Sequence, residues 1–84
     1  MYSEIFTGDI QDKRFFGIYR GIVVDTNDPK NLGRLKMQIP QILGTAVTNW
    51  SWPIIGGYTP QPGDGCWVMF EGGDPNFPLW LGAF

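Results

Sequence analysis

The cleanest alternation of apolar and polar positions lies at Arg34 to Ile39. Leu35, Met37 and Ile39 fall on one side, and Arg34, Lys36 and Gln38 on the other. A period of two is what a strand with one buried face requires. Pro40, which cannot donate to a ladder, ends it. A second alternation sets Cys66, Val68 and Phe70 against Trp67, Met69 and Glu71. It runs through Gly72-Gly73-Asp74-Pro75, a turn sequence, into an aromatic-rich strand at Pro78 to Gly82. If the hairpin folds symmetrically about Asp74-Pro75, Phe70 faces Leu79, Val68 faces Leu81 and Met69 faces Trp80. Trp67, Met69 and Trp80 then share the outer face, an apolar patch that suggests a binding surface. A one-residue slip would reverse the assignment of Trp80.

Two further strands complete the pattern. Phe15 to about Asp25 reads as a long first strand, with Gly17 and Gly21 marking a bend or bulge. Trp50 to Ile55 reads as a short strand whose Pro53 argues for a sheet edge. Gln41 to Asn49 has room for one helical turn. No segment of about 11 residues carries a helical period, and twelve Gly and seven Pro are spread along the chain as turn punctuation. The expectation is an all-β fold: a small five-stranded barrel over residues 15–84, which removes sheet edges. An N-terminal arm, residues 1–14, precedes it. Tyr2, Ile5, Phe6 and Ile10 of that arm fit neither period. They need a partner or the barrel's own wall to cover them.

Composition narrows the function. A single domain of 84 residues buries about 60–65% of the surface of its unfolded chain, so its stability is modest unless another chain covers some apolar surface. Four Trp, three Tyr and six Phe leave two readings, a Trp-rich core or aromatics partly exposed to a partner. The net charge is −2 with a pI of about 4.7, and only Lys13 and Arg14 are adjacent basic residues. A nucleic-acid binder needs a basic stripe to neutralise phosphates, so no nucleic-acid partner is expected. Cys66 stands alone, which excludes an internal disulfide and a Cys-rich zinc site, and its strand position reads as a buried small hydrophobe. Glu4, Asp9 and Asp12 break any signal-peptide pattern. No apolar run approaches the roughly 18 residues that span a bilayer, so a soluble chain without a membrane partner is expected.

Catalytic chemistry is missing from the sequence. There is no His, the commonest general base and metal ligand. Asp25, Asp28, Asp64 and Asp74 all neighbour Gly, Pro or Asn, where Asp usually bonds its own backbone. Asp25-Thr-Asn-Asp28 lacks the spacing and terminal Glu of a calcium loop, and no phosphate-binding glycine pattern appears. The expectation is a non-enzyme with no cofactor, no metal and no catalytic residues.

One set of motifs goes further. Gly21 and Val23, Asp28-Pro29, Gly33-Arg34, Ile39-Pro40, Phe70 to Pro75 and Pro78 to Gly82 occur in an order and spacing that resemble a known family. That family is the oligonucleotide/oligosaccharide-binding (OB) domain of tailed-phage baseplate spike and hub proteins, including baseplate assembly protein V and the VgrG proteins of type VI secretion. A family Trp in the third strand corresponds to Trp50 or Trp52. Arg34, pointing outward at the start of its strand, pairs either with an acid on a neighbouring loop or with a partner chain.

The resemblance implies an OB barrel that docks on the ring-shaped hub beneath the tail tube, beside a spike or needle subunit. It implies a trimer or other multi-copy state, in a virion assembled in the host cytoplasm. Family members often continue into a needle or a lysozyme domain. With only Ala83 and Phe84 after Gly82, neither is expected in this chain, and a separate chain that supplies the needle or an accessory place on the baseplate is the expectation. The interface residues expected on these grounds are Trp67, Met69, Trp80 and Arg34 of the barrel, with Tyr2, Ile5 and Phe6 of the arm. A single-stranded nucleic-acid binder, or a carbohydrate-binding OB module, is the competing reading.

Overall fold

The computed structural model describes residues 13–54 and 58–84. In chain order the elements are β1 (Tyr19–Asp25), β2 (Lys36–Gln38), a single helical turn α1 (Pro40–Leu43), β3 (Trp52–Pro53), β4 (Gly65–Phe70) and β5 (Pro78–Ala83). A 3₁₀ turn, Glu71–Gly73, joins β4 to β5. The sheet order is β2-β1-β4-β5-β3. Every pairing is antiparallel except that of β3 with β5, which is parallel. Just before β2 and β3, Leu35 and Ser51 exchange backbone hydrogen bonds of 3.2 and 2.7 Å. This bridge joins the two edges, so the sheet curls into the small OB-type barrel expected from the strand pattern.

The alternation at Leu35, Met37 and Ile39 points inward as expected, and all three side chains are fully buried. They pack with Val23, Cys66, Val68, Phe70 and Trp80 into one core. Gly21 lies on the inner face of β1. A Cβ there would stand 2.8 Å from a Val68 methyl and 3.1 Å from the Met37 sulfur. Its absence lets β1 bend over the core. The room in Gln41 to Asn49 holds α1, whose Pro40 occupies the first helical turn, where a missing N–H costs nothing. Two strands are shorter than their patterns. β1 begins at Tyr19, because Phe15 leaves the sheet and donates its N–H to the Gly73 carbonyl at 2.8 Å. Its ring packs against Tyr19 and Phe70 at 6.2 and 6.0 Å, covering one end of the core. β3 is an edge strand carrying Pro53, as expected; Ile55 lies outside the described residues, as do Tyr2, Ile5, Phe6 and Ile10 of the arm.

The closing hairpin corrects one expectation. Phe70 pairs with Pro78, Met69 with Leu79 and Val68 with Trp80, a register one residue away from the symmetric one, with a bulge between Trp67 and Val68. The turn is the cause. Glu71 donates its N–H to the Phe77 carbonyl at 2.9 Å, and Phe77 donates to Asp74 at 2.9 Å. The loop is therefore centred on Asp74 and not on the Asp74-Pro75 bond. That half-step turns Trp80 inward, where it is 2% exposed, and places Leu79 and Leu81 outward. Its indole N–H donates to the Gly33 carbonyl at 3.0 Å, the partner that a buried indole requires.

Trp80→Ala should therefore destabilise the barrel by about 3–5 kcal/mol, the usual cost of removing a buried aromatic. Trp67→Ala should cost much less. Urea unfolding of both variants measures the difference, and equal losses would contradict this assignment of faces.

Candidate interaction surfaces

The connection from β1 to β2 is built on one carboxylate. Asp28 Oδ1 accepts hydrogen bonds from the backbone N–H of Lys30 at 2.9 Å and from Arg34 Nη2 at 2.7 Å. Oδ2 accepts from the N–H groups of Leu32 and Arg34 at 3.0 and 3.3 Å, and from Arg34 Nε at 2.9 Å. The guanidinium thus grips the carboxylate with both prongs, and the two side chains are only 12% and 3% exposed. The Arg34 hydrogen bonds hold the Asp28 carboxyl well below the usual carboxylate range. Burial opposes them, and the N–H groups of Lys30, Leu32 and Arg34 assist. Asp28 in turn raises the Arg34 guanidinium. Gly33, at φ 76°, supplies the left-handed step that turns the chain back so that Arg34 meets Asp28.

Above the clamp, Arg34 lies 5.2 Å from the Trp52 ring and 5.7 Å from that of Trp50, and the Lys36 ammonium is 5.1 Å from Trp50. Such stacks favour the cation over the ring face. Of the two readings for Arg34, pairing with a loop acid is the one the geometry realises. The remaining turn acids also cap backbone: Asp25 accepts from Asn27, Asp64 from Gln61 and Asp74 from Asn76, at 2.8–3.0 Å.

A second arrangement lies on the outer face of β1, β4 and β5. Trp67 and Met69 are half-buried there, beside Leu79 and Leu81. The register also brings Arg20 opposite Trp67. The Arg20 guanidinium lies 5.2 Å from the Trp67 ring and 5.8 Å from that of Phe84, and those rings are 4.8 Å apart. Ile18 and Ile22, exposed by 59% and 43%, flank Arg20 along the chain. A depression of about 440 Å³ opens between Ile18, Trp67 and Leu81. Sequence reasoning missed this contribution of β1. Gly-Ile-Tyr-Arg-Gly-Ile-Val-Val is apolar on both faces of the strand, and only its pairing shows which side is outside. The expected patch thus loses Trp80 and gains Ile18, Arg20, Ile22 and Phe84.

Among the described residues no group of three His, Cys, Asp or Glu side chains could hold a metal ion. Cys66 is fully buried, and burial pushes its thiol above the ordinary range. No helix among the described residues is long and apolar enough to cross a membrane.

The comparison with protein families agrees with this architecture. Residues 19–84 match the type VI secretion system/phage-baseplate injector OB domain. The chain belongs to that family. Its role is therefore structural, in a phage baseplate or a type VI secretion injector. No curated protein matches the chain. The match begins where β1 begins and takes in the Asp28–Arg34 clamp, the tryptophans of the β3 region and the closing hairpin. In this injector OB domain the Gly33-Arg34 and closing-hairpin motifs meet where the Trp80 indole donates to the Gly33 carbonyl, while the Arg20–Trp67–Phe84 cluster lies on the outer face of β1, β4 and β5.

Replacing Asp28 by Asn should lower the melting temperature at neutral pH, since the charged clamp is lost. A carboxylate held below its ordinary value of 3.8 contributes stability that is fully present above that value. The contribution fades as the unfolded chain takes up a proton that the folded chain refuses. The gap between Asp28→Asn and the parent should thus stay constant from pH 7 to about 5 and narrow steadily below about 4. Thermal unfolding across that range measures it; a gap independent of pH would contradict the clamp.

Proposed function

We propose that this chain is a non-enzymatic docking module of the baseplate hub and central spike of a contractile tail. In this reading the barrel joins the ring-shaped hub to a spike or needle subunit during tail assembly. It is present as a trimer or in several copies, assembles in the host cytoplasm and remains in the virion. Membership of the injector OB family over residues 19–84 is the observation that carries this reading. The exposed apolar face around Trp67 supports it, since contiguous patches of this kind mark protein contacts. The barrel, residues 15–84, and the arm, residues 1–14, have separate tasks in it, with Tyr2, Ile5 and Phe6 of the arm contacting a neighbouring subunit. Arg14 touches Asp74 at 3.6 Å, with both side chains partly exposed, a surface pair of the kind that contributes little stability.

An epitope tag on the chain should be found at the baseplate of purified tails by immunoelectron microscopy. Deleting residues 1–14 should leave a folded barrel, seen by an unchanged thermal transition, that no longer enters the tail. Complete tails without the chain would refute the proposal, and unfolding on deletion would assign the arm to the core.

OB folds that bind nucleic acid use the face of their second and third strands. Here that face carries Arg34, Lys36, Trp50 and Trp52, but Asp28 already neutralises Arg34. Fluorescence anisotropy with single-stranded DNA near physiological salt should show negligible binding. Micromolar affinity would favour the nucleic-acid reading instead.

A further inference from the structure

The outer face of β1, β4 and β5 has one charged group in its middle. Ile18 and Ile22 flank Arg20 along the chain, Trp67 lies across from it, and Phe84 closes the other side. Phe84 is held there by its backbone N–H, which donates to the Gly65 carbonyl at 3.1 Å. Both rings lie within cation–π distance of the guanidinium. Among the described residues the ion pairs are Arg14 with Asp74 and Arg34 with Asp28, and Arg20 takes part in neither. A face of this kind cannot be covered by a purely apolar partner, because docking would strip water from the guanidinium without replacing its hydrogen bonds.

We propose that this face docks an apolar surface of the hub subunit that carries a carboxylate opposite Arg20. The inference rests on the hub-docking reading above and deepens it by naming the chemistry of the partner. A guanidinium pre-oriented by two aromatic faces offers a fixed fork to a carboxylate, and the surrounding aliphatics exclude water from the pair. A two-fold contact between copies of this chain through this patch would set Arg20 against Arg20, with no acid between them.

The test uses the full chain and the purified hub protein of the same tail, with affinity read by titration calorimetry. Arg20→Glu and Ile18→Asp should each weaken binding by at least about tenfold, the range of a central interface contact. Lys36→Gln, beside Trp50 and outside this cluster, should bind as the parent does. Circular dichroism and melting temperature show that each variant is folded. Converting one hub carboxylate to Lys should restore binding to Arg20→Glu, which a loss of fold in the barrel would not allow. Parent-like affinity in both Arg20→Glu and Ile18→Asp would overturn the assignment of this face and leave hub docking intact. A parent chain that does not bind the hub at all would overturn both. A concentration-dependent dimer of the parent, abolished by Arg20→Glu, would assign the face to self-association and refute the proposal.

Discussion

The barrel depends on the carboxylate of Asp28. Five hydrogen bonds converge on it, from the backbone of Lys30, Leu32 and Arg34 and from both prongs of the Arg34 guanidinium. A loop with that many N–H groups would otherwise leave several of them in search of water or of each other. Satisfying them at one buried point gives the connection a single shape. That shape delivers Leu35 to its bridge with Ser51 and aims the Gly33 carbonyl at the Trp80 indole. One ion pair thereby ties the β1–β2 connection to β3 and to β5, elements far apart in sequence. Buried charges are costly to leave unpaired, so the acid and the arginine are each required by the other.

Polar groups elsewhere follow the same rule on a smaller scale. Thr48 is buried, and its hydroxyl accepts the Met37 N–H at 3.1 Å and donates to the Asn49 carbonyl at 2.8 Å. It continues the β2 ladder where no strand is present. The short Trp52–Pro53 strand can be an edge because Pro53 needs no partner for a missing N–H. The barrel is thus closed partly by side chains standing in for backbone, an economical solution for so short a chain.

The two aromatic–cation clusters have opposite consequences. At Arg34 the guanidinium is largely buried and paired with Asp28, and the tryptophans beside it belong to that clamp. At Arg20 the same stacking leaves the charge on an open apolar face. A small domain buries a limited share of its surface, and an uncovered face of this kind gains stability from whichever subunit occupies it. Structural membership in a baseplate or injector, where neighbouring subunits are permanent, suits a chain built in this way.

Much of this was readable from residue order. The alternation of Leu35, Met37 and Ile39, the inward set Cys66, Val68 and Phe70 and the edge position of Pro53 all follow from periodicity and backbone chemistry. These are local constraints. Motif order around Asp28-Pro29, Gly33-Arg34 and the final hairpin was enough to point to the OB family, and the pairing of Arg34 with a loop acid was one of two readings open. The register of the last hairpin was not readable in this way. A turn centred on Asp74 differs from one centred on the Asp74-Pro75 bond by half a residue, yet it moves Trp80 from the surface to the core and brings Leu79 and Leu81 out. Nor could the strand that carries Arg20 declare its outer side, because it is apolar on both. Strand pairing decides such questions through hydrogen bonds and packing between distant segments. Composition and spacing therefore determined the kind of barrel, and tertiary contacts decided which of its aromatics hold the fold and which remain available to a partner.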